Sequence, residues 1–425
     1  MKRQLALALV VSAAFILPAT ARADVVTTWN RTMVAALDAA NTPPPPAMRA
    51  AAIVQAAVFD AVNGIAGRYT AVHVQPAARP GASRAAAAAS AAHEALVALF
   101  PAQQAMFDQR LVETLSEISD DDGGGRSIAS GLAWGKTVAD EILAWRTNDG
   151  FAAVLPPYVP VGAPGRWQPT PPAFVGPLFR QFATMTPWAL ASPSQFLPAA
   201  PPPPSSARYA QDLNEVKTLG SATSAVRTAF QTETARFWGA DTPAAIWNRV
   251  ADDLAERRDA SLLTNARVLA LTNIALADAV IAVWNAKNTF DTWRPITAIQ
   301  QAATDGNPDT SPDPEWAPLI TTPAFQEYPA GHPGVSNAGA SVLAHFYGND
   351  TAFTATSFGL PGVEHSFSSF SSAIAEVENA RVWGGIHFRF ACETGAAMGA
   401  AVAEYVTGTQ LLTIHGPGEE VEDGD

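Results

Sequence analysis

The sequence predicts an all-α protein, and three observations lead there. Alanine is abundant in a chain that is 48% apolar and only 15% charged, a composition suited to closely packed helices. Apolar residues recur at helical spacing over most of the chain, in segments closed by Gly or Pro. Strand-like patterning is confined to two short stretches, around Val154–Val161 and Thr351–Thr356.

In chain order, helices are expected over Val26–Ala40, ended by Asn41-Thr42 and the Pro43–Pro46 run, and over Ala47–Gly64 with a Gly stop. Ala82–Phe100, Ala102–Ile118 and Ser127–Thr147 follow, the last two separated by the D-D-D-G-G-G turn at Asp120–Gly125. Short connections make these helices antiparallel neighbours, so residues 24–150 read as an N-terminal bundle. Residues 151–205 hold fifteen of the 34 prolines and cannot be regular helix. Trp167, Trp188 and several Phe lie among them, which favours an ordered wrapping loop over a disordered linker. Residues 206–415 return to helix: Ser206–Leu219, Ala222–Phe237, Pro243–Glu256, Ala260–Asn288, Gly334–Tyr347, Ser366–Val382 and Phe388–Thr407, with 304–328 a loop.

The two ends read differently. Lys2 and Arg3, the apolar run Leu5–Leu17 and Ala21-Arg22-Ala23 have the order of a secretory signal over residues 1–23, so the mature protein is expected to be secreted or periplasmic. Later apolar segments are interrupted by Asp, Asn or Lys, so no transmembrane anchor is expected. Residues 416–425 form an acidic tail. A formal charge of −13 argues against nucleic acid and anionic membrane surfaces as partners. The lone Cys392 has no partner for an internal disulfide and reads as a small buried residue.

Against this acidic, apolar background three stretches gather cations and imidazoles. Lys287 and Arg294, in K-N-T-F-D-T-W-R-P, are two helical turns apart and would share a face if the helix persists to Pro295. They are either solvated cations at a helix end or, given the apolar and aromatic flanks, partners of an anion. Tyr328-Pro329-Ala330-Gly331-His332 opens a helix of small residues. Gly331 permits close backbone approach, helix N-terminal amides bind anions, and His332 is a possible acid or base; a simple capping turn has the same pattern. Arg381 closes a helix, Gly384-Gly385 turn the chain, and His387 opens the next, as ligand or nucleophile.

Taken in order and with these spacings, the three stretches resemble the signature shared by vanadium-dependent haloperoxidases and the type 2 phosphatidic acid phosphatase superfamily. A-D-A-V-I-A-V-W-N-A-K, T-A-R-F-W, F-Q-E-Y-P-A-G-H-P-G, G-G-I-H-F-R-F and the Pro-rich P-G-R-W-Q-P-T-P-P are similar to the soluble bacterial haloperoxidase branch. The resemblance implies helices around a four-helix-bundle core that carries a vanadate or phosphate site. His387 would bond the vanadium of vanadate or, in a phosphatase, attack phosphorus. Lys287, Arg294 and Arg381 would neutralise equatorial oxygens, the Gly331 amide would add a hydrogen bond, and His332 would face the opposite apical oxygen as acid–base. The implied reaction oxidises a halide with hydrogen peroxide to hypohalous acid, with a small organic acceptor downstream.

Three positions depart from the family pattern. Ala330 and Ala380 stand where Ser is common, and Ala391 where a family Asp can orient the imidazole. Asp278, Asp291 and Glu327 are the candidates to take over that role. His365, ahead of a Ser-rich helix start, is also able to approach the site, whereas Asp60 and Asp278 read first as paired structural carboxylates in apolar helices. Two other functions suit the same residues: a secreted acid phosphatase working through a phosphohistidine, and a helical protein that binds an oxyanion without turnover.

Overall fold

The computed structural model describes residues 24–75, 81–118, 125–258 and 260–414. The expected signal segment, the acidic tail and most of the Asp120–Gly125 turn lie outside them.

The first helices are α1 (Val25–Ala39), α2 (Pro44–Ala66), α3 (Arg84–Leu99), α4 (Gln104–Glu117) and α5 (Gly125–Arg146). Local chemistry sets their ends. Asp24 caps α1 by accepting the Thr27 amide at 2.8 Å, and Ser83 caps α3. The Pro43–Pro46 run is a start rather than a break: Pro44 and Pro45 occupy the first turn of α2, where no amide is needed. Gly67, at φ +65°, ends that helix in the left-handed region.

After the Pro-rich segment come α6 (Ala207–Leu219), α7 (Ala229–Phe237), α8 (Pro243–Arg258), α9 (Leu262–Phe290), α10 (Pro295–Gln300) and α11 (Gly331–Tyr347). A hairpin of β1 (Phe353–Thr356) and β2 (Glu364–Phe367) leads to α12 (Phe370–Trp383) and α13 (Arg389–Thr409). The regular structure of the described residues is therefore helical apart from this hairpin and isolated bridges. Several expectations need correction. The helix expected from Ala222 starts only at Ala229, because Thr228 and Gln231 form a capping box. Ser366 lies in β2, and Ser369 caps the later start of α12. Val154–Val161 is not a strand, and the partner of the real β1 was hidden in the Ser-rich stretch.

Helix α9 is the axis of the molecule. It packs against α2 on one side and against α11 and α13 on the other, in one continuous apolar core that also takes in α1 and α8. By length and hydropathy α2 and α9 each suffice to cross a membrane, contrary to the sequence expectation; 83% and 94% of their apolar windows are buried inside the protein. Helices α11 and α13 touch backbone to backbone. A Cβ on Gly399 would fall 1.9 Å from the Gly334 carbonyl oxygen, and one on Gly395 would fall 2.3 Å from that of Ala330. The abundance of small residues therefore sets how closely these helices approach, and with it the placement of both histidine-bearing helix starts.

The Pro-rich segment is an ordered wrap with one 3-10 turn, Arg180–Thr184. Asp278, wholly buried in α9, accepts the amides of Trp188, Ala189 and Leu190 at 2.7–3.0 Å. Asp291 accepts the Tyr158 hydroxyl at 2.9 Å, and Asn285 donates to the Ala183 carbonyl. Asp60 does the same work in α2 for the amides of Val72, His73 and Val74. Asp278 and Asp60 thus fix irregular backbone that would otherwise leave amides unpaired in an apolar setting, and Asp291 ties the wrap through a side chain.

Candidate active site

Lys287 and Arg294 do not share a helix. Helix α9 ends at Phe290 with Asp291 in the left-handed conformation (φ 52°), and Arg294 is the extended residue before Pro295, which starts α10 instead of ending α9. The fold still brings both cations to one place, because the chain reverses between them and both side chains are fully buried.

Their hydrogen bonds differ in kind. Lys287 Nζ donates to the carbonyls of Gln326, Glu327 and Pro329 at 2.8, 2.9 and 2.6 Å, which uses all its protons to clamp the loop leading into α11. Arg294 donates from Nε to Phe325 O at 2.7 Å and from Nη1 to Ile386 O at 2.8 Å, while its buried Nη2 has no partner in the protein. Arg381 donates from Nη1 to Trp238 O at 3.2 Å and leaves Nε buried and unpartnered. The Phe325 ring covers this group, 5.3 Å from Lys287 Nζ and 4.8 Å from the Arg294 guanidinium carbon.

The role expected of an acid at position 391 is taken by Glu327. Its Oε1 lies 3.0 Å from His387 Nδ1 and accepts the Phe388 amide at 3.0 Å. Asp278 and Asp291 are engaged in the wrap described above and do not reach His387. With Nδ1–H directed to Glu327, Nε2 carries the lone pair and lies 3.0 Å from Arg294 Nη1 as acceptor. Burial pushes the His387 imidazole well below its ordinary value, and Arg294, Lys287 and Arg381 push it the same way. Burial raises the Glu327 carboxyl to about 7 against the pull of Lys287 and Arg294. Burial also lowers the Arg294 and Arg381 guanidiniums to about 9 and about 10.

His332 sits in the first turn of α11, which begins at Gly331 and not at Gly334 as expected. Gly331 and His332 therefore hold the first helical positions, whose amides have no acceptor within the helix. A Cβ on Gly331 would meet the Trp284 ring at an ordinary 3.6 Å, so nothing in the protein itself demands glycine there. The His332 ring is neutral, lowered by burial and then by Arg381, Lys287 and Arg294, and its Nε2 is buried without a partner. His332 and Arg381 line a cleft of about 520 Å³ whose walls include Asn41, Thr242, Phe325 and Phe358.

Sequence reasoning missed the support behind Arg381. Trp238, whose carbonyl holds the guanidinium, is itself fixed by its indole N–H on Glu376 at 2.9 Å. Glu376 also meets His365 Nδ1 at 2.6 Å, and His365 stacks on Phe237 at 4.2 Å. His365 is thus two residues removed from the cage rather than in it. Its position in a short strand just before a Ser cap carried no sign of this chain of contacts.

These residues suit an oxyanion. Arg294 Nη2, Arg381 Nε and His332 Nε2 are buried polar atoms without protein partners, grouped with the α11 N-terminus and with a neutral imidazole that presents a lone pair. Among the described residues no group of three or more His, Cys, Asp or Glu converges as a metal-ion site. The donor set fits a metal carried as an oxyanion on one imidazole, and it equally fits phosphate.

Comparison with known proteins agrees with this chemistry. Residues 267–416, which hold the site stretches, match the family model of the VCPO second helical-bundle domain. The chain is 27% identical over 277 residues to vanadium chloroperoxidase from Curvularia inaequalis, covering 53% of this chain and 44% of that protein, so it spans less than half the length of that relative. The structure of a bacterial vanadium-dependent iodoperoxidase superposes with a TM-score of 0.77 at 27% identity, over 92% of this chain and 96% of that one. A holo-type bacterial vanadium-dependent chloroperoxidase superposes with a TM-score of 0.67 at 17% identity over 92% and 94%, a likeness of fold. Domain match, sequence relative and fold agree: residues 267–416 match the VCPO second helical-bundle domain, and the proteins this chain is similar to are vanadium-dependent haloperoxidases.

Proposed function

We propose that the protein is an exported haloperoxidase that holds vanadate at His387 and oxidises a halide with hydrogen peroxide to hypohalous acid. The observation that carries this reading is the state of His387: buried, neutral, its Nδ1–H locked on Glu327 and its Nε2 lone pair beside Arg294. A lone pair presented in this way suits a metal ligand whose orientation is fixed by its carboxylate partner. Vanadate, when bound, supplies Lewis-acid activation of peroxide toward halide.

The chain itself supplies charge, direction and protons. The free N–H groups of Arg294 and Arg381 would donate to the oxyanion, and the Gly331 amide at the start of α11 would add a third donor. Lys287 adds positive charge while its protons hold the loop that carries Glu327 and Gly331. His332, neutral and facing the cleft through which peroxide, halide and a small organic acceptor would enter, can take up a proton at Nε2 and return it. Export rests on the charged start, short apolar run and small-residue cleavage pattern of residues 1–23, and sequencing of the secreted N-terminus should begin at Asp24.

The test is a paired assay on the whole chain: peroxide-dependent bromination with added vanadate, and p-nitrophenyl phosphate hydrolysis without it. Bromination that requires vanadate supports the proposal. Hydrolysis alone would make the protein a phosphatase acting through His387, and vanadate binding with neither activity would make it a non-catalytic oxyanion binder.

A further inference from the structure

The His332 cleft lies along the line where α1 packs on α8, with Leu37 and Asp38 of α1 on one wall and Thr242 and Ala245, at the start of α8, on another. A second cleft of about 360 Å³ continues along the same two helices. Its walls are Arg31, Val34 and Ala35, earlier on α1, and Arg249, Asp252 and Glu256, farther along α8. Phe358, from the loop between β1 and β2, walls both clefts. One groove between two helices is thus divided by one ring.

The ring is held in place from several sides. The Phe358 amide donates to Asp241 Oδ2 at 3.0 Å. Arg249 donates to the same oxygen at 2.5 Å and to Thr356 O at 2.6 Å, and its guanidinium carbon lies 4.3 Å from the centre of the Phe358 ring. Gly359 is pressed on Ala240, where a Cβ would fall 2.4 Å from the Ala240 Cβ. The loop is therefore seated by its backbone and by Arg249, and the ring is a fixed partition. From Arg31 to Asp38 α1 rises about 10 Å, so a rod of two rings needs both compartments, whereas one ring fits beside His332. We propose that Phe358 sets acceptor specificity: it confines the organic acceptor to a compact, single-ring aromatic of the phenol class in the His332 cleft and shuts out elongated two-ring acceptors. There hypobromous acid gives its bromine to the ring, a C–Br bond replaces a C–H bond, and the displaced proton leaves with the hydroxide as water.

The acceptor role rests on the haloperoxidase reading, while the partition is a matter of binding and is tested without vanadate. Phenol and 4-phenylphenol are titrated calorimetrically into the whole chain, as wild type, Phe358→Ala and Phe358→Leu. The ring is partly exposed and the loop's backbone bonds do not need it, so both variants should fold, and the milder Leu change serves if Ala does not. The expected result is 4-phenylphenol bound about tenfold or more tighter by Phe358→Ala than by wild type, with Phe358→Leu between them and phenol changed less than about threefold. With vanadate, peroxide and bromide, competition between the two phenols should shift toward brominated 4-phenylphenol by a similar factor. Binding of 4-phenylphenol that is the same in all three proteins, or no binding of either phenol, would overturn the proposal. So would a product ratio that ignores the substitutions while bromide is still oxidised, since the halogen would then be passed on in free solution. Tighter 4-phenylphenol binding in a protein that oxidises no bromide would keep the partition and overturn the haloperoxidase reading instead.

Discussion

At the scale of single residues the account turns on Glu327, whose one oxygen serves both the His387 ring and the Phe388 amide. Glu327→Gln should weaken vanadate binding about 10- to 100-fold, the usual effect of altering the group that orients a ligating histidine, as read by isothermal titration. The same variant has a pH signature without vanadate or phosphate. The folded carboxyl is raised from 4.5 to about 7, so between those values the native state keeps a proton that the unfolded chain has released. Stability from this group is present below pH 4.5 and is lost as pH rises through 7, at about 1.4 kcal/mol per pH unit. The melting temperature of the wild type relative to Glu327→Gln should therefore fall from pH 5 to pH 8; a difference that rises would contradict the assignment. Farther out, Glu376 fixes Trp238, whose carbonyl fixes Arg381. Glu376→Ala should raise the vanadate dissociation constant about tenfold, and Glu376→Gln, which keeps an acceptor for the indole, should restore most of it.

The cage residues were legible in the sequence because their types and spacing are chemically unusual: two arginines, a lysine and two histidines in an acidic, apolar chain. Which carboxylate completes them was not legible. Glu327 is sixty positions from His387 by number, and only the clamp of Lys287 on residues 326–329 carries it there. Lys287 is expected to neutralise an equatorial oxygen, and that charge role is compatible with its three protons holding the loop.

At the scale of elements, the approach of α11 and α13 controls the cage, since one helix starts next to His332 and the other next to His387. Gly399 permits contact with the Gly334 carbonyl that no side chain allows. Gly399→Ala should destabilise the protein by about 1–3 kcal/mol, measured by chemical denaturation, because the added methyl meets rigid backbone. Helix existence was readable from periodicity and caps, but helix ends were not. The apparent run from α9 through Arg294 is cut by Asp291 in a left-handed turn, a conformation that Asp tolerates but does not announce. Of the hairpin, β1 was readable around Thr351–Thr356, while β2 escaped because it is a short Ser-containing strand whose pairing is set by tertiary contact rather than by pattern.

For the molecule as a whole, an all-α fold followed from composition, and its arrangement around one buried axis did not. Helix α9 is apolar on nearly all faces, as suits the centre of a large helical core, and α2, α11 and α13 and the Pro-rich wrap cover it, with 94% of its apolar window buried. That wrap is pinned by Asp278 and Asp291, so the segment least like regular structure is tied to the most buried helix. Halide oxidation by the whole chain, measured against added vanadate with peroxide present, tests the central claim most directly. The account predicts activity that saturates with vanadate, falls competitively with phosphate and is absent in His387→Ala. Halide oxidation that is independent of vanadate, or that survives in His387→Ala, would contradict it.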